Sequence, residues 1–154
     1  MTRSISIREI TDFVNAILRA NNVPDAVAKD VADVLVNAEA KGFGSHGVMR
    51  LGRVLTGIKS GTHFPNADPD FKLVTPCALH VDGHHQLGPH VSTVVTGKLI
   101  EMAETYGLAM ASIHNMTHFG TGGYYTERMA ASGLLGLVFC NTQPASSPFG
   151  GKGK

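Results

Sequence analysis

The apolar pattern of this chain changes period once, at the stretch THFPNADPD, residues 62–70. Before it, apolar residues recur three and four apart, as on amphipathic helices; after it, short apolar runs alternate with helical stripes. Such a pattern folds as helices joined to an α/β layer. Two prolines among turn formers make the stretch itself a linker. Residues 1–62 therefore read as a helical region and 70–154 as an α/β region. At 154 residues the chain can bury roughly two-thirds of its unfolded surface.

Ser6 and Glu9 form an S-x-x-E capping box, and Ile10, Phe13, Val14, Ile17 and Leu18 follow at helical spacing. A second helix is expected from Pro24 or Asp25, burying Val27, Val31, Val34, Leu35 and Ala38 and ending at Gly42. A third is expected after Ser45, with Val48, Leu51, Leu55 and Ile58 apolar, stopping at KSG. Beyond the linker, ALHVDG, LAMASIHN and LLGLVFCN read as strands, and VSTVVTGKLIEMAETYG and GGYYTERMAASG as helices. This alternation predicts a three-layer α/β/α sheet. The closing TQPASSPFGGKGK is a Gly/Pro-rich loop with nothing after it to pack on, so the chain reads as the front part of something longer.

A net charge of +1 with scattered basic residues gives no electrostatic footprint for nucleic acid or an anionic membrane. No apolar run approaches the roughly 18 residues of a membrane span. MTRSISIREI lacks the apolar core of a signal peptide. Cys77 and Cys140 have no CxxC spacing and are expected to be reduced and buried in a cytoplasmic protein, a disulfide between them being the alternative. HVDGHHQLGPH is rich in histidine but has no helical H-x-x-x-H, so it reads as a turn rather than a metal site.

Scarce polar chemistry collects in two places. In GFGSHGVMR, residues 42–50, His46 and Arg50 are four apart, which on a helix puts them on one face with Ser45 at the N-cap. A histidine exchanges protons near neutrality, and an arginine fork binds a carboxylate bidentately. Together they suit a 2-oxo or 2-hydroxy acid. The alternative is a capped helix with a solvated polar face. The second place is HNMTHFGTGGYY, residues 114–125, between a predicted strand and a predicted helix. Gly120, Gly122 and Gly123 there would let a phosphate approach backbone N–H groups at a helix N-terminus. Tyr125 stands where a G-x-G-x-x-G fingerprint needs its third glycine, and an ordinary glycine turn remains the alternative.

SHGVMRL, DGHHQLG, THFGTGGYY and NTQPASSPFGG, in this order, resemble the segments of the type 2 malate/L-lactate dehydrogenase family. The resemblance spans the whole chain. It implies an L-sulfolactate dehydrogenase-like, non-Rossmann α/β/α fold with a mixed sheet, a helical companion region and a homodimer. It also implies Ser45 as relay, His46 as proton donor or acceptor, and Arg50 on the substrate carboxylate. His118 would line both substrate and cofactor, with Phe119, Gly120, Thr121 and Gly122 on the cofactor and Lys152 near the substrate. Family members continue past the GGK loop into a segment that completes the nicotinamide site. The expected activity is hydride transfer between NAD or NADP and a small 2-oxo or 2-hydroxy acid. A non-catalytic remnant that keeps the fold and dimerises is one alternative, and a histidine-built metal module another.

Overall fold

A computed structural model describes residues 4–141. Its first helix starts at the capping box: the Glu9 N–H donates to Ser6 Oγ at 3.2 Å, and the Ser6 N–H donates to the Glu9 carboxylate at 2.9 Å. Helix α1 runs Ile7–Ala20 and α2 Asp25–Ala40. The expected third helix is shorter than its pattern. Two separate 3-10 turns, Gly44–His46 and Val48–Arg50, precede α3, Leu51–Lys59. Val14, Leu18, Val31 and Ala32 are fully buried in the cluster these helices share, and Leu87, from beyond the linker, joins them. No helix among the described residues is long and apolar enough to cross a membrane.

The linker leads into a strand that the apolar pattern does not announce. Strand β1, Asp70–Thr75, pairs antiparallel with β2, Ala78–Asp82, which pairs parallel with β3, Met110–His114. The sheet is therefore mixed, in the order β1-β2-β3. Between β2 and β3 runs α4, Gly88–Tyr106, longer than its apolar stripe because Pro89 sits in its first turn, where proline is tolerated. Val91 and Val95 of α4 pack on Leu79 and Val81 of β2. On the opposite face, His80 and His114 stack at 4.7 Å, and His84 spans Asp70 and Asp82. Helix α5, Gly122–Ala131, completes the described elements.

Two expectations need correction. LLGLVFCN alternates as a strand should, with Leu135, Leu137 and Phe139 outward at 89, 70 and 87% exposure, yet it joins no ladder among the described residues. Alternation specifies faces; a strand also needs a hydrogen-bonded neighbour. Both cysteines are free, but Cys140 lies on this unpaired segment and is exposed, and Cys77 is only half-buried.

The β2–α4 loop is held by Gln86, 1% exposed. Its side-chain amide donates to the carbonyls of Pro65 and Ala67 at 2.7 Å each, and its side-chain oxygen accepts the Leu87 N–H. Linker and helix start are thereby tied at one point. The backbone Gln86 carbonyl also accepts the Thr117 N–H at 3.1 Å, so the same anchor reaches the loop that carries His118.

Candidate active site

Ser45 and His46 lie in the first 3-10 turn and Arg50 ends the second. The single helix face expected for His46 and Arg50 does not exist. Gly47, at φ −86° and ψ −152°, is extended and breaks the chain between the two turns. A different contact restores their proximity. The Arg50 Nε–H donates to the Ser45 carbonyl oxygen at 2.6 Å, closing the segment into a loop. Both Nη groups of Arg50 have no partner among the described residues, so the end of the fork is available. Ser45 Oγ lies 2.9 Å from His46 Nδ1, which orients the ring and leaves Nε2 without a partner among the described residues.

The second constellation comes to the first. The rings of His46 and His118 are 5.4 Å apart and tilted by 39°. The Gly120 N–H donates to His118 Nδ1 at 3.1 Å, which assigns the proton of the neutral ring to Nε2. Partial burial, then the charges of Arg50, His46 and Arg53, hold the His118 pKa below the ordinary histidine value of 6.5. His118 is thus a neutral Nε2–H donor at neutral pH. The site pairs it with an imidazole held by a hydroxyl and a guanidinium held by a carbonyl.

The loop carrying His118 is fixed from three sides. Gly88 N–H donates to Thr117 Oγ1 at 2.8 Å, and a Cβ at Gly88 would fall 2.2 Å from the Thr117 carbonyl oxygen. Tyr125, 2% exposed, donates its phenolic hydrogen to the Phe119 carbonyl at 2.5 Å; burial raises its pKa and keeps that donor protonated. Gly120 adopts φ +89°, and a Cβ there would meet Val34 of α2 at 2.4 Å. The tight turn and the close seat on α2 both require glycine.

Gly122 and Gly123 differ from each other. A Cβ at Gly122 would press on Val138, whereas one at Gly123 would meet nothing within 4 Å. The backbone at Gly123 faces open space at the start of α5. Thr121, the N-cap residue, makes no side-chain cap bond; the Tyr124 N–H donates to the Thr121 carbonyl at 3.2 Å, and among the described residues the Gly122 and Gly123 N–H groups are left for an external acceptor. Backbone donors at a helix N-terminus, on a surface without side chains, are the features a pyrophosphate needs. Of the site residues expected from the sequence, Ser45, His46, Arg50, His118, Phe119, Gly120, Thr121 and Gly122 come from two adjoining loops, and Lys152 lies outside the described residues.

Sequence reasoning missed Arg53, three residues after Arg50 and close enough to act on His118. Spacing along α3 could have found it. It also missed Gly88, whose role depends on packing against a loop far along the chain. The remaining histidines are occupied elsewhere: His90 pairs with Asp30 at 2.7 Å, and a Cβ at Gly57 would strike the His63 ring.

A sequence profile described as malate/L-lactate dehydrogenase matches residues 5–154. The L-sulfolactate dehydrogenase of Methanothermobacter thermautotrophicus is 34% identical over 148 residues, covering 96% of this chain and 43% of that protein. The (2R)-3-sulfolactate dehydrogenase (NADP(+)) of Chromohalobacter salexigens is 35% identical over 153 residues, covering 99% and 45%. The malate dehydrogenase structure from Pyrococcus horikoshii OT3 superimposes with a TM-score of 0.83 at 31% identity, covering 85% of this chain and 38% of that one. The chain spans less than half the length of these relatives. With the profile matching nearly every residue, the chain belongs to the malate/L-lactate dehydrogenase family.

Proposed function

We propose that this chain supplies the acid–base and carboxylate-binding part of an NAD(P)-dependent oxidoreductase acting on small 2-oxo and 2-hydroxy acids. The observation that carries this reading is the convergence of His46 and Arg50 on the neutral His118. The nicotinamide, when bound, supplies or accepts the hydride at substrate C2. His46 gives or takes the proton on the C2 oxygen, with Ser45 holding its Nδ1 side. Arg50 presents the free end of its fork to the carboxylate while its Nε stays on the Ser45 carbonyl. His118 donates from Nε2 into the same space, with Lys152 as a second substrate contact.

Phe119, Gly120, Thr121 and Gly122 form the cofactor loop in this reading, on the strength of the Gly122 and Gly123 N–H groups that have no partner among the described residues. One relative's name specifies NADP(+), and we assign NAD or NADP here. The division into a helical region, 1–62, and a cofactor-binding region, 70–154, is supported by two apolar clusters, the first drawn from the helices before the linker with Leu87 joining it and the second wholly from residues after the linker. We place the protein in the cytoplasm, as a homodimer.

The test joins these residues to a chain of family length and follows nicotinamide oxidation with a panel of 2-oxo acids and their amides. Turnover of acids over amides is the expected result. Absence of turnover with every acid and both cofactors overturns the reading. A second reading, a non-catalytic chain that keeps the fold and dimerises, is favoured by the outward row of Leu135, Leu137 and Phe139. Sedimentation of the 154-residue chain together with cofactor titration separates the two.

A further inference from the structure

We propose that Glu39 is a positioning residue for this site: from the last turn of α2 its carboxylate holds the backbone hinge that sets His46 against Arg50. The inference rests on the reading of His46 and Arg50 given above. Its geometry stands independently.

The Val48 N–H donates to Glu39 Oε2 at 2.9 Å. Val48 follows Gly47, the residue at which one 3-10 turn ends and the next begins. A Cβ at Gly47 would fall 2.1 Å from Glu39 Oε2 and 3.2 Å from Glu39 Cα. The hinge is therefore seated directly on this side chain and its backbone. Rotation at this hinge alters the separation of the His46 ring and the Arg50 guanidinium. The Arg50–Ser45 bond closes the loop on one side, and Glu39 ties the loop to α2 on the other.

The two helix ends act oppositely on this carboxylate. Glu39 sits in the last turn of α2, which has no basic residue there, so it faces the negative end of its own helix. The same carboxylate accepts a hydrogen bond at the start of the Val48–Lys59 helical run, where negative charge is favoured. Helix α2 also carries Val34, against which the Gly120 turn of the His118 loop is seated. One rigid helix thus holds both loops, Glu39 gripping the His46 side and Val34 the His118 side. Near its end, Lys41 adds an ion pair with Glu127 of α5.

The test compares Glu39→Ala and Glu39→Gln in the 154-residue chain by NMR. Glutamine keeps an oxygen acceptor and is expected to retain the Val48 amide protection, the slowly exchanging Arg50 Nε–H and the nuclear Overhauser contact between the His46 and His118 rings. Alanine should raise Val48 exchange by about tenfold or more and abolish the other two signals, while Tm moves by only a few degrees. If alanine changes Val48 exchange alone, Glu39 is a local cap and the proposal is overturned. Loss of all signals with a collapse of Tm in both variants makes Glu39 a folding residue and overturns it equally. In a family-length enzyme, Glu39→Ala should lower kcat/KM for a 2-oxo acid by about 10- to 100-fold, as a displaced catalytic pair does, with cofactor Kd within about twofold and Gln restoring most of the activity. Absence of turnover in the unsubstituted enzyme overturns the functional reading alone, because the NMR signals report the hinge without it.

Discussion

The His46 and His118 rings meet at 5.4 Å although one belongs to the helical region and the other to the loop after β3. Two imidazoles that close do not charge together readily, and Arg50 and Arg53 add to the same positive field. His118, whose Nδ1 accepts the Gly120 N–H, is the ring held below its ordinary value.

His118 should therefore titrate below 6.5 and His84, hydrogen-bonded to Asp70, above it. The signs oppose. The contribution of His118 to stability is complete above pH 6.5 and is lost as pH falls through its lowered value. That of His84 is complete below 6.5 and is lost as pH rises through its raised value. Imidazole chemical shifts followed from pH 4 to 9 check both, and an unperturbed midpoint for His118 would remove its assignment as a neutral donor.

In a family-length enzyme, His46→Asn should lower kcat by about two to four decades, the usual worth of general acid–base catalysis. Cofactor affinity should hold, because the proposed role of His46 is on the substrate oxygen and not at the start of α5. Steady-state kinetics with a parallel fluorescence titration decides, and turnover within about threefold of the unsubstituted enzyme excludes His46 as the proton donor.

Arg50→Lys removes two things together: the fork and the Nε–H that closes on Ser45. We expect KM for the acid to rise and kcat/KM to fall by about 2–4 kcal/mol equivalent, the scale of a charge-assisted contact in a closed site. The matching amide should be nearly indifferent. Equal damage to both substrates would make Arg50 a structural residue of the turn.

Gly120→Ala forces φ +89° on a side-chain-bearing residue and drives a methyl into Val34, a loss of about 2 kcal/mol or more. Gly123→Ala meets no neighbour, so stability should be unchanged or slightly higher while nicotinamide binding weakens. Gly122 is the less informative position, since Val138 lies against it. Thermal melts and cofactor titrations on the pair separate a folding glycine from a binding one, and an unchanged cofactor Kd in Gly123→Ala returns the turn to an ordinary one.

The helical stripes were legible because one-sided burial imposes their period, as Val14, Leu18, Val31 and Leu35 show. Strand β1 was not, because only Phe71 among its residues is even partly buried and no alternation survives. LLGLVFCN displayed the alternation but could not display its lack of a partner. At the site, residue types and order pointed to two loops that the structure brings side by side. The spacing of four between His46 and Arg50 is a helical rule, and it failed where the backbone left the helix. The cause lies at Glu39, nine residues from Val48 in sequence, in a contact that no local period encodes. His118 as partner of His46 was likewise a matter of how two regions dock.

Strands β2 and β3 are parallel neighbours joined through α4, so their ladder closes over a long crossover. The β1–β2 pair needs only a short turn and can form early. Contact between the His46 and His118 rings requires more: a folded helical cluster, a folded sheet cluster, and α2 seated against α4 and α5. In a refolding experiment that contact becomes a clock for the final docking event. Mutations that slow docking without altering either cluster would delay the appearance of the ring pair while leaving the helical signal prompt.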